Sequence, residues 1–102
     1  MAHLSWTEPA LRDLESIAEY IALDKPEAAK RFIRKVFRAV DKLAEFPKSG
    51  GVPTEIPDLP YRELIVPPCR VFDRIDRGTI YVVHVLRSER ELREESFEEG
   101  GE

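Results

Sequence analysis

The C-terminal part of the chain, residues 69–93, contains the sequence feature that most constrains the fold. Two runs rich in β-branched and aromatic residues, 71–75 and 79–86, flank a short polar turn, a pattern typical of a β-hairpin. Gly78 in the turn can adopt the positive φ that a short hairpin loop requires. Because an isolated two-stranded hairpin is only marginally stable in water, the preceding residues must supply a further strand and a covering layer.

The N-terminal half predicts two amphipathic helices that supply this layer. A short strand at residues 3–6 comes first, and Thr7 followed by Pro9 is a start signal for helix 1. Apolar side chains then recur at spacings of three and four residues, which gathers them on one face of each helix. They are Leu11, Leu14, Ile17, Ala18 and Ile21 in helix 1, and Ala29, Phe32, Ile33, Val36, Val40, Leu43 and Ala44 in helix 2.

Residues 24–27 mark the start of helix 2. Asp24 is expected to cap it, with Pro26 in its first turn and Glu27 three residues after the cap. Pro47 is expected to end it. Since only a few residues separate the two helices, they must fold back on each other as an antiparallel hairpin.

A long loop and a third strand complete the pattern. Residues 47–60 contain four prolines and two glycines, which predicts a loop of a length that tends to be functional or mobile. Residues 61–66 read as a strand, and Pro67-Pro68 marks a corner or a sheet edge after it. The predicted order is β-α-α-β-β-β, an α+β fold in which an antiparallel helix hairpin packs on a small, mainly antiparallel sheet.

Length and charge indicate one domain followed by an acidic tail. With 102 residues in total, we expect a single domain at residues 1–93 and a solvated tail at residues 94–102. The net charge of −4 becomes about +1 without the five glutamates of that tail. No apolar run is long enough to span a membrane and no signal peptide is evident, so a cytoplasmic protein is expected. Cys69, alone in the sequence, reads as a small strand residue in a reducing compartment.

Basic residues are concentrated in two regions. One face of helix 2 carries Lys30, Arg31, Arg34, Lys35, Arg38 and Lys42, and the predicted strands and the residues after them carry Arg62, Arg70, Arg74, Arg87, Arg90 and Arg93. Such residues can simply solvate a surface, or they can bind an acidic partner or phosphate groups. The spacing of three between Arg87, Arg90 and Arg93 predicts a helical turn that projects positive charge from the end of the sheet.

Candidate sites for other chemistry are few. The sequence has no phosphate-binding glycine-rich loop and no pair of cysteines at metal-ligand spacing, so neither a metal nor a cofactor is expected. His84 lies mid-strand between valines. It is either a partly buried, hydrogen-bonded strand histidine or a general acid or base near neutral pH.

Short motifs that follow one another along residues 4–93 resemble a known family. They are Trp6-Thr7-Glu8-Pro9-Ala10, Asp13-Leu14, Tyr20-Ile21-Ala22, Pro26-Glu27-Ala28-Ala29, Tyr61-Arg62-Glu63-Leu64, Cys69-Arg70-Val71-Phe72 and His84-Val85-Leu86-Arg87. In this order they resemble the RelE/ParE superfamily of bacterial type II toxins. The resemblance implies a small toxin that a cognate antitoxin neutralises, and a heterotetramer of the two proteins is an expected assembly.

Two activities occur on this fold, so the fold alone does not decide the function. RelE-like members cut messenger RNA on the ribosome, whereas ParE-like members inhibit DNA gyrase without being nucleases. The helical half resembles the ParE branch, so gyrase or a similar protein is the expected target and catalysis is not expected. A ribosome-dependent endoribonuclease and a non-toxic interaction module that has lost activity are the alternatives.

The placement of the basic residues, together with the resemblance, implies roles for particular residues. Target-binding residues are expected at Arg70, Arg87, Arg90 and Arg93, and antitoxin-binding residues at Lys30, Arg31, Arg34, Arg38 and Arg62. Under the nuclease alternative the catalytic residues would be Arg70, His84 and Arg90. The sequence departs from the family at two places that affect the expected activity. Residues 94–97 lack the tyrosine or histidine of the nucleases, and Asp73 stands where relatives commonly have a tyrosine. Asp73 is expected to compete for the strand arginines.

Overall fold

A computed structural model describes residues 2–90 of the chain, and its elements follow the predicted order. They are β1 (His3–Trp6), α1 (Glu8–Ala22), α2 (Pro26–Asp41), a short 3-10 helix (Lys42–Ala44), β2 (Arg62–Val66), β3 (Cys69–Asp76) and β4 (Thr79–Arg87). This arrangement confirms the predicted α+β class. The boundary at residue 93 and the acidic tail lie outside the described residues.

The four strands form one sheet in the order β1-β4-β3-β2. β1 runs parallel to β4, and the other two pairs are antiparallel. In the β3–β4 turn Arg77 and Gly78 both have positive φ, of 52° and 82°, as a two-residue hairpin loop requires. Pro67 and Pro68, joined by a cis peptide bond, form the corner between β2 and β3.

Thr7 starts α1 and also ties it to the sheet. Its hydroxyl accepts a hydrogen bond from the Ala10 N–H at 3.3 Å and donates one to the Val82 carbonyl at 2.9 Å. The first of these bonds satisfies one of the unpaired N–H groups at the helix start, which confirms the predicted cap. The second places the start of α1 beside β4.

Three details of the helices differ from the prediction. The N-cap of α2 is Lys25, whose side chain makes no capping bond. The Asp24 and Lys25 N–H groups both donate to the Ile21 carbonyl, which keeps Asp24 in the turn that follows α1. α2 ends at Asp41 and a 3-10 helix follows, so the helix stops before Pro47. Leu11 was expected on the buried face of α1 but is exposed.

The main core fills the space between the helices and the inner face of the sheet, the face that contacts them. Its buried members come from all the helices and from β2, β3 and β4: Ala10, Leu14, Ile17, Ala18, Phe32, Val36, Val40, Leu43, Val66, Cys69, Val71, Ile80, Val82 and Val85. A smaller cluster of Ile56, Phe72 and Val83 lies on the outer face, the opposite side of the sheet. Since Ile56 belongs to residues 47–60, this proline-rich loop packs across the outer face.

The start of the proline-rich loop is fastened to the outer edge of β2. Gly51 and Glu63 exchange two backbone hydrogen bonds, of 2.9 Å and 2.8 Å. The Arg62 guanidinium donates to the carbonyls of Lys48 and Gly50 at 3.1 Å and 3.3 Å. Gly50 is so close to β2 that a Cβ there would lie 2.6 Å from the Glu63 carbonyl oxygen. The loop therefore covers the strand edge through contacts that need a glycine at this position.

We expect Gly50→Ala to lower the free energy of unfolding by about 1 to 3 kcal/mol, because the added methyl group forces backbone apart in a packed region. Gly51→Ala is the matched control, since nothing lies within 4 Å of a Cβ built at that residue. Its effect should stay below about 1 kcal/mol. Urea denaturation measures both, and equal stabilities of the two variants would contradict the close approach of Gly50 to β2.

Candidate functional site

The free edge of β4 borders a cleft that contains several of the predicted site residues. β1 pairs only with Thr79–Val82, and β4 then continues beside α1. Along β3, Phe72 lies opposite His84 while Asp73 lies opposite Val82, so β4 carries one extra residue, a β-bulge. Bulges re-aim side chains and often occur next to functional sites.

The cleft between α1 and β4 has a volume of about 480 Å³. Residues from both elements and from the turn after β4 line it: Asp13, Ser16, Ile17, Tyr20, His84, Val85, Leu86, Arg87 and Arg90. We call it the α1–β4 cleft. It brings together His84, Arg87 and Arg90 of the predicted site residues, and adds Asp13 and Tyr20, which the sequence did not single out as site residues.

The Asp13 carboxylate replaces a neighbouring strand at this edge of β4. Its Oδ2 accepts a hydrogen bond from the Val85 N–H at 3.1 Å and lies 2.5 Å from Nδ1 of His84. The His84 ring also stacks on Phe72, with 5.8 Å between ring centroids, and its Nε2 atom is buried. His84 is therefore a partly buried, hydrogen-bonded strand histidine, which was one of its two predicted interpretations.

Arg87 and Arg90 lie at the mouth of the cleft. The Arg90 N–H donates to the Arg87 carbonyl at 2.9 Å, so a turn follows β4 as predicted. The Arg87 guanidinium lies 4.9 Å from the centroid of the Tyr20 ring and 3.0 Å from the Glu89 carboxylate. Arg93 is outside the described residues. This part of the cleft combines positive charge with an exposed aromatic ring.

Arg70 lies on the outer face of the sheet, where carboxylates surround it. Its two terminal nitrogens donate to both oxygens of Glu55 at 2.8 Å, and one of them also donates to Glu63 at 3.0 Å. The hydrogen bond to Glu55 raises the pKa of Arg70, and its side chain is only 11% exposed. The guanidinium covers the Phe72 ring and contacts the Arg90 carbonyl at 3.5 Å. Arg70 is thus occupied by partners within the chain.

The five predicted antitoxin-binding residues separate into two groups. Lys30, Arg31, Arg34 and Arg38 share an exposed face of α2, where they form a basic surface. Arg62 is instead half-buried and holds the proline-rich loop through the two carbonyl contacts described above. Its position suits a structural role rather than a surface contact.

Two further expectations concern metals and the thiol. Residues 2–90 contain no group of three or more His, Cys, Asp or Glu side chains that could hold a metal ion. Within the same residues no helix is long and apolar enough to cross a membrane. Cys69 is fully buried in β3, and burial raises the pKa of its thiol to about 11, so it serves as a small core residue.

Asp73 is fully buried, with 0% of its surface exposed. Neither carboxylate oxygen has a hydrogen-bond partner among the described residues, and burial raises the pKa of Asp73 to about 6, although Arg62 lowers it in part. Successive strand residues point to opposite faces, so Asp73 faces the helices while Arg70 and Arg74 lie on the outer face. The expected competition of Asp73 for these two arginines is therefore not found.

Two helices that cover a four-stranded β1-β4-β3-β2 sheet define a small toxin fold of the RelE/ParE superfamily. A family model described as the ParE toxin of the type II toxin-antitoxin system parDE matches residues 4–92. The chain belongs to this ParE toxin family, which confirms the resemblance seen in its motifs.

Individual relatives agree with this assignment. Toxin RelE2 of Caulobacter vibrioides is 35% identical over 91 residues, which cover 88% of this chain and 99% of the relative. Putative toxin Y4kP of Sinorhizobium fredii is 49% identical over 47 residues, or 46% of this chain and 49% of that protein. A solved structure described as the chromosomal ParDE TA system from P. aeruginosa superimposes with a TM-score of 0.76 at 26% identity, covering 87% of this chain and 98% of its own.

The buried Asp73 predicts a pH-dependent stability. Its folded pKa of about 6 exceeds the roughly 3.9 of an unfolded aspartate, so stability is fully present below about pH 4 and is lost as the pH rises through about 6. Asp73→Asn should remove this loss, which amounts to about 3 kcal/mol between pH 4 and pH 7.5. Urea denaturation of both proteins at the two pH values measures it.

The exposed Asp58 provides the control for this measurement. Asp58→Asn removes a carboxylate of the same type from the surface and should leave the pH dependence of stability as it is in the unsubstituted protein. An Asp73→Asn protein with that same unchanged pH dependence would contradict an energetic cost of ionising Asp73.

Proposed function

We propose that this chain is the toxin of a type II toxin-antitoxin pair and that it arrests growth by binding a protein target, with DNA gyrase as the expected one. The observation that carries the choice of a protein target is the state of Arg70. The guanidinium that a RelE-like nuclease would direct at a phosphate is occupied here by Glu55 and Glu63. RNA cleavage is the alternative activity, and the experiment below tests for it.

The other groups of the nuclease alternative also favour a protein target. Metal-free RNA cleavage needs a base for the 2′-hydroxyl, cations for the phosphate and an acid for the leaving oxygen. His84 has Nδ1 against Asp13 and Nε2 buried, so neither nitrogen is presented to a substrate. Arg90 is exposed, but one cation without a proton-transfer group does not make this chemistry.

The mouth of the α1–β4 cleft has the composition of a protein-binding surface. Tyr20 is 62% exposed, and Arg87 and Arg90 line the same cleft. Tyrosine and arginine are enriched among the residues that dominate binding energy at interfaces. Tyr20 also borders a second depression of about 550 Å³, lined by Tyr20, Ile21, Leu23, Asp24, Lys25 and Ala28. We therefore assign target binding to this surface.

Arg70 has a supporting role in this proposal. Its contact with the Arg90 carbonyl at 3.5 Å helps to place the turn after β4, while the contacts with the target are made by Arg87 and Arg90. We therefore propose a positioning role for Arg70 in place of the direct target contact expected from the sequence.

We expect Arg90→Ala to weaken inhibition of gyrase supercoiling by at least about tenfold, which corresponds to about 1.4 kcal/mol of binding free energy. Growth arrest on expression should weaken in parallel, whereas the melting temperature should stay the same because Arg90 is exposed. Lys48→Ala is the control, since Lys48 is an equally exposed cation outside the cleft. Cleavage of message on translating ribosomes, abolished by Arg70→Ala while supercoiling is untouched, would contradict the proposal.

The antitoxin is proposed to cover the basic surface of α2 and an edge of the sheet. Strand addition and docking of a helix in a groove are the common modes for such partners. The basic surface favours an acidic partner segment, and the similar solved structure is described as a ParDE TA system. A heterotetramer of two toxins and two antitoxins is part of the same proposal.

Co-expression with the adjacent open reading frame tests this partner. We expect the neighbouring small protein to co-purify and Arg34→Ala/Arg38→Ala to weaken the complex by about tenfold or more at low salt, since two exposed charges are removed from the interface. Arg12→Ala/Lys48→Ala removes the same charge outside the basic surface and should have no comparable effect. Harmless expression of the chain alone, with no neighbour bound, would favour a non-toxic interaction module.

A further inference from the structure

The outer face of the sheet contains two arginine–aromatic pairs. The Arg70 guanidinium lies 5.1 Å from the Phe72 ring centroid, and the Arg74 guanidinium lies 4.7 Å from that of Tyr81. Arg70, Phe72 and Arg74 alternate along β3 and so share this face. Arginines next to aromatic rings on a sheet are groups that bind single-stranded nucleic acids, through phosphate contacts and base stacking. Here Phe72 is fully buried, whereas Tyr81 is half-buried and keeps part of its ring at the surface.

Two carboxylates bind the Arg70 guanidinium on this face of the sheet. Glu63 reaches the guanidinium from the adjacent strand β2, and Glu55 reaches it from the proline-rich loop. Both glutamate side chains are themselves largely buried, at 22% and 18% exposed for Glu55 and Glu63. One carboxylate is enough to neutralise a guanidinium, so the pair of glutamates leaves a local charge of about −1. Partial burial also reduces the screening of this charge by salt.

The loop that carries Glu55 also covers the aromatic part of the surface. Ile56, the next residue, is buried in the outer cluster with Phe72 and Val83. The two-nitrogen contact between Arg70 and Glu55 therefore fastens the loop directly over the Phe72 ring. The negative charge of Glu55 and the covering side chain of Ile56 lie at the same place on the outer face, because the two residues are adjacent in the chain.

We propose that Glu55 and Glu63 are specificity residues, which exclude single-stranded RNA from the outer face of the sheet and so restrict this toxin to protein partners. Without them, the positive charge of the Arg70 guanidinium would be uncompensated on a face that also carries the Arg74–Tyr81 pair, in which Arg74 is ion-paired with Asp76 at 3.7 Å. This inference deepens the proposed function, since it identifies what separates a protein-directed toxin from an RNA-directed one on the same fold. Its measurement is RNA binding, which does not depend on the identity of the protein target.

The test is the binding of a fluorescein-labelled 12-nucleotide oligouridine, followed by fluorescence anisotropy at low and moderate salt. Glu55→Gln/Glu63→Gln should bind at least tenfold more tightly than the unsubstituted protein, with an affinity that falls as salt rises because phosphate contacts release counterions. Glutamine keeps the shape of glutamate and still accepts a hydrogen bond from Arg70, so the fold should be retained. Adding Arg70→Gln to the double variant should abolish the gain.

A second double variant separates this local effect from net charge. Glu15→Gln/Glu45→Gln changes the net charge equally at two exposed positions away from the outer face, and it should gain less than twofold. An equal gain in both double variants, or no gain in a Glu55→Gln/Glu63→Gln protein that melts cooperatively, would overturn the proposal. If that protein does not fold, Glu55→Gln and Glu63→Gln are measured separately. The proposal is overturned if neither single variant binds the RNA at least threefold more tightly than the unsubstituted protein.

Gyrase supercoiling measured on the same proteins distinguishes the two proposals. Inhibition that persists in Glu55→Gln/Glu63→Gln together with new RNA binding supports both of them. An unsubstituted protein that leaves gyrase unaffected contradicts the proposed target, and the RNA measurement still decides the role of the two glutamates.

Discussion

The hydrogen bonding of β4 is the constraint on which the rest of this structure depends. β4 is the longest strand, and it pairs with β3 over its whole length but with β1 only over its first half. An unpaired strand edge inside a fold needs other partners for its backbone groups. Here the Thr7 hydroxyl donates to the Val82 carbonyl, and the Asp13 carboxylate accepts from the Val85 N–H. Residues of α1 and its N-cap thus replace the strand that β1 is too short to provide.

The α1–β4 cleft is a consequence of this replacement. A helix cannot approach a strand edge as closely or as regularly as another strand, so space remains between the two elements. The bulge in β4 lies next to His84, and the Asp13 carboxylate of α1 holds the His84 ring. The same geometry carries Arg87 next to Tyr20. A structural solution for one strand edge thus places an aromatic ring and cations at the surface proposed to bind the target.

The arginines of the strands make different contacts, although the sequence alone does not distinguish them. Arg62 binds loop carbonyls, Arg70 is enclosed by two glutamates, and Arg87 stacks on a tyrosine. What separates them is the face and edge on which each one lies and the loop or helix that covers it. On a fold that supports both RNA cleavage and protein binding, this local environment matters more than the presence of an arginine at a given position.

The sequence by itself determined the element order, the two amphipathic helices and the hairpin with its glycine turn, because these depend on local spacing and turn chemistry. The resemblance of its short motifs indicated the family. The sequence also indicated the turn that brings Arg87 and Arg90 together. It did not reveal the contacts of Asp13 with His84 or of Glu55 with Arg70, which join residues 71 and 15 positions apart. Only the tertiary structure decided these contacts and the burial of Asp73, since strand register and the path of a proline-rich loop bring together charges that no local pattern relates.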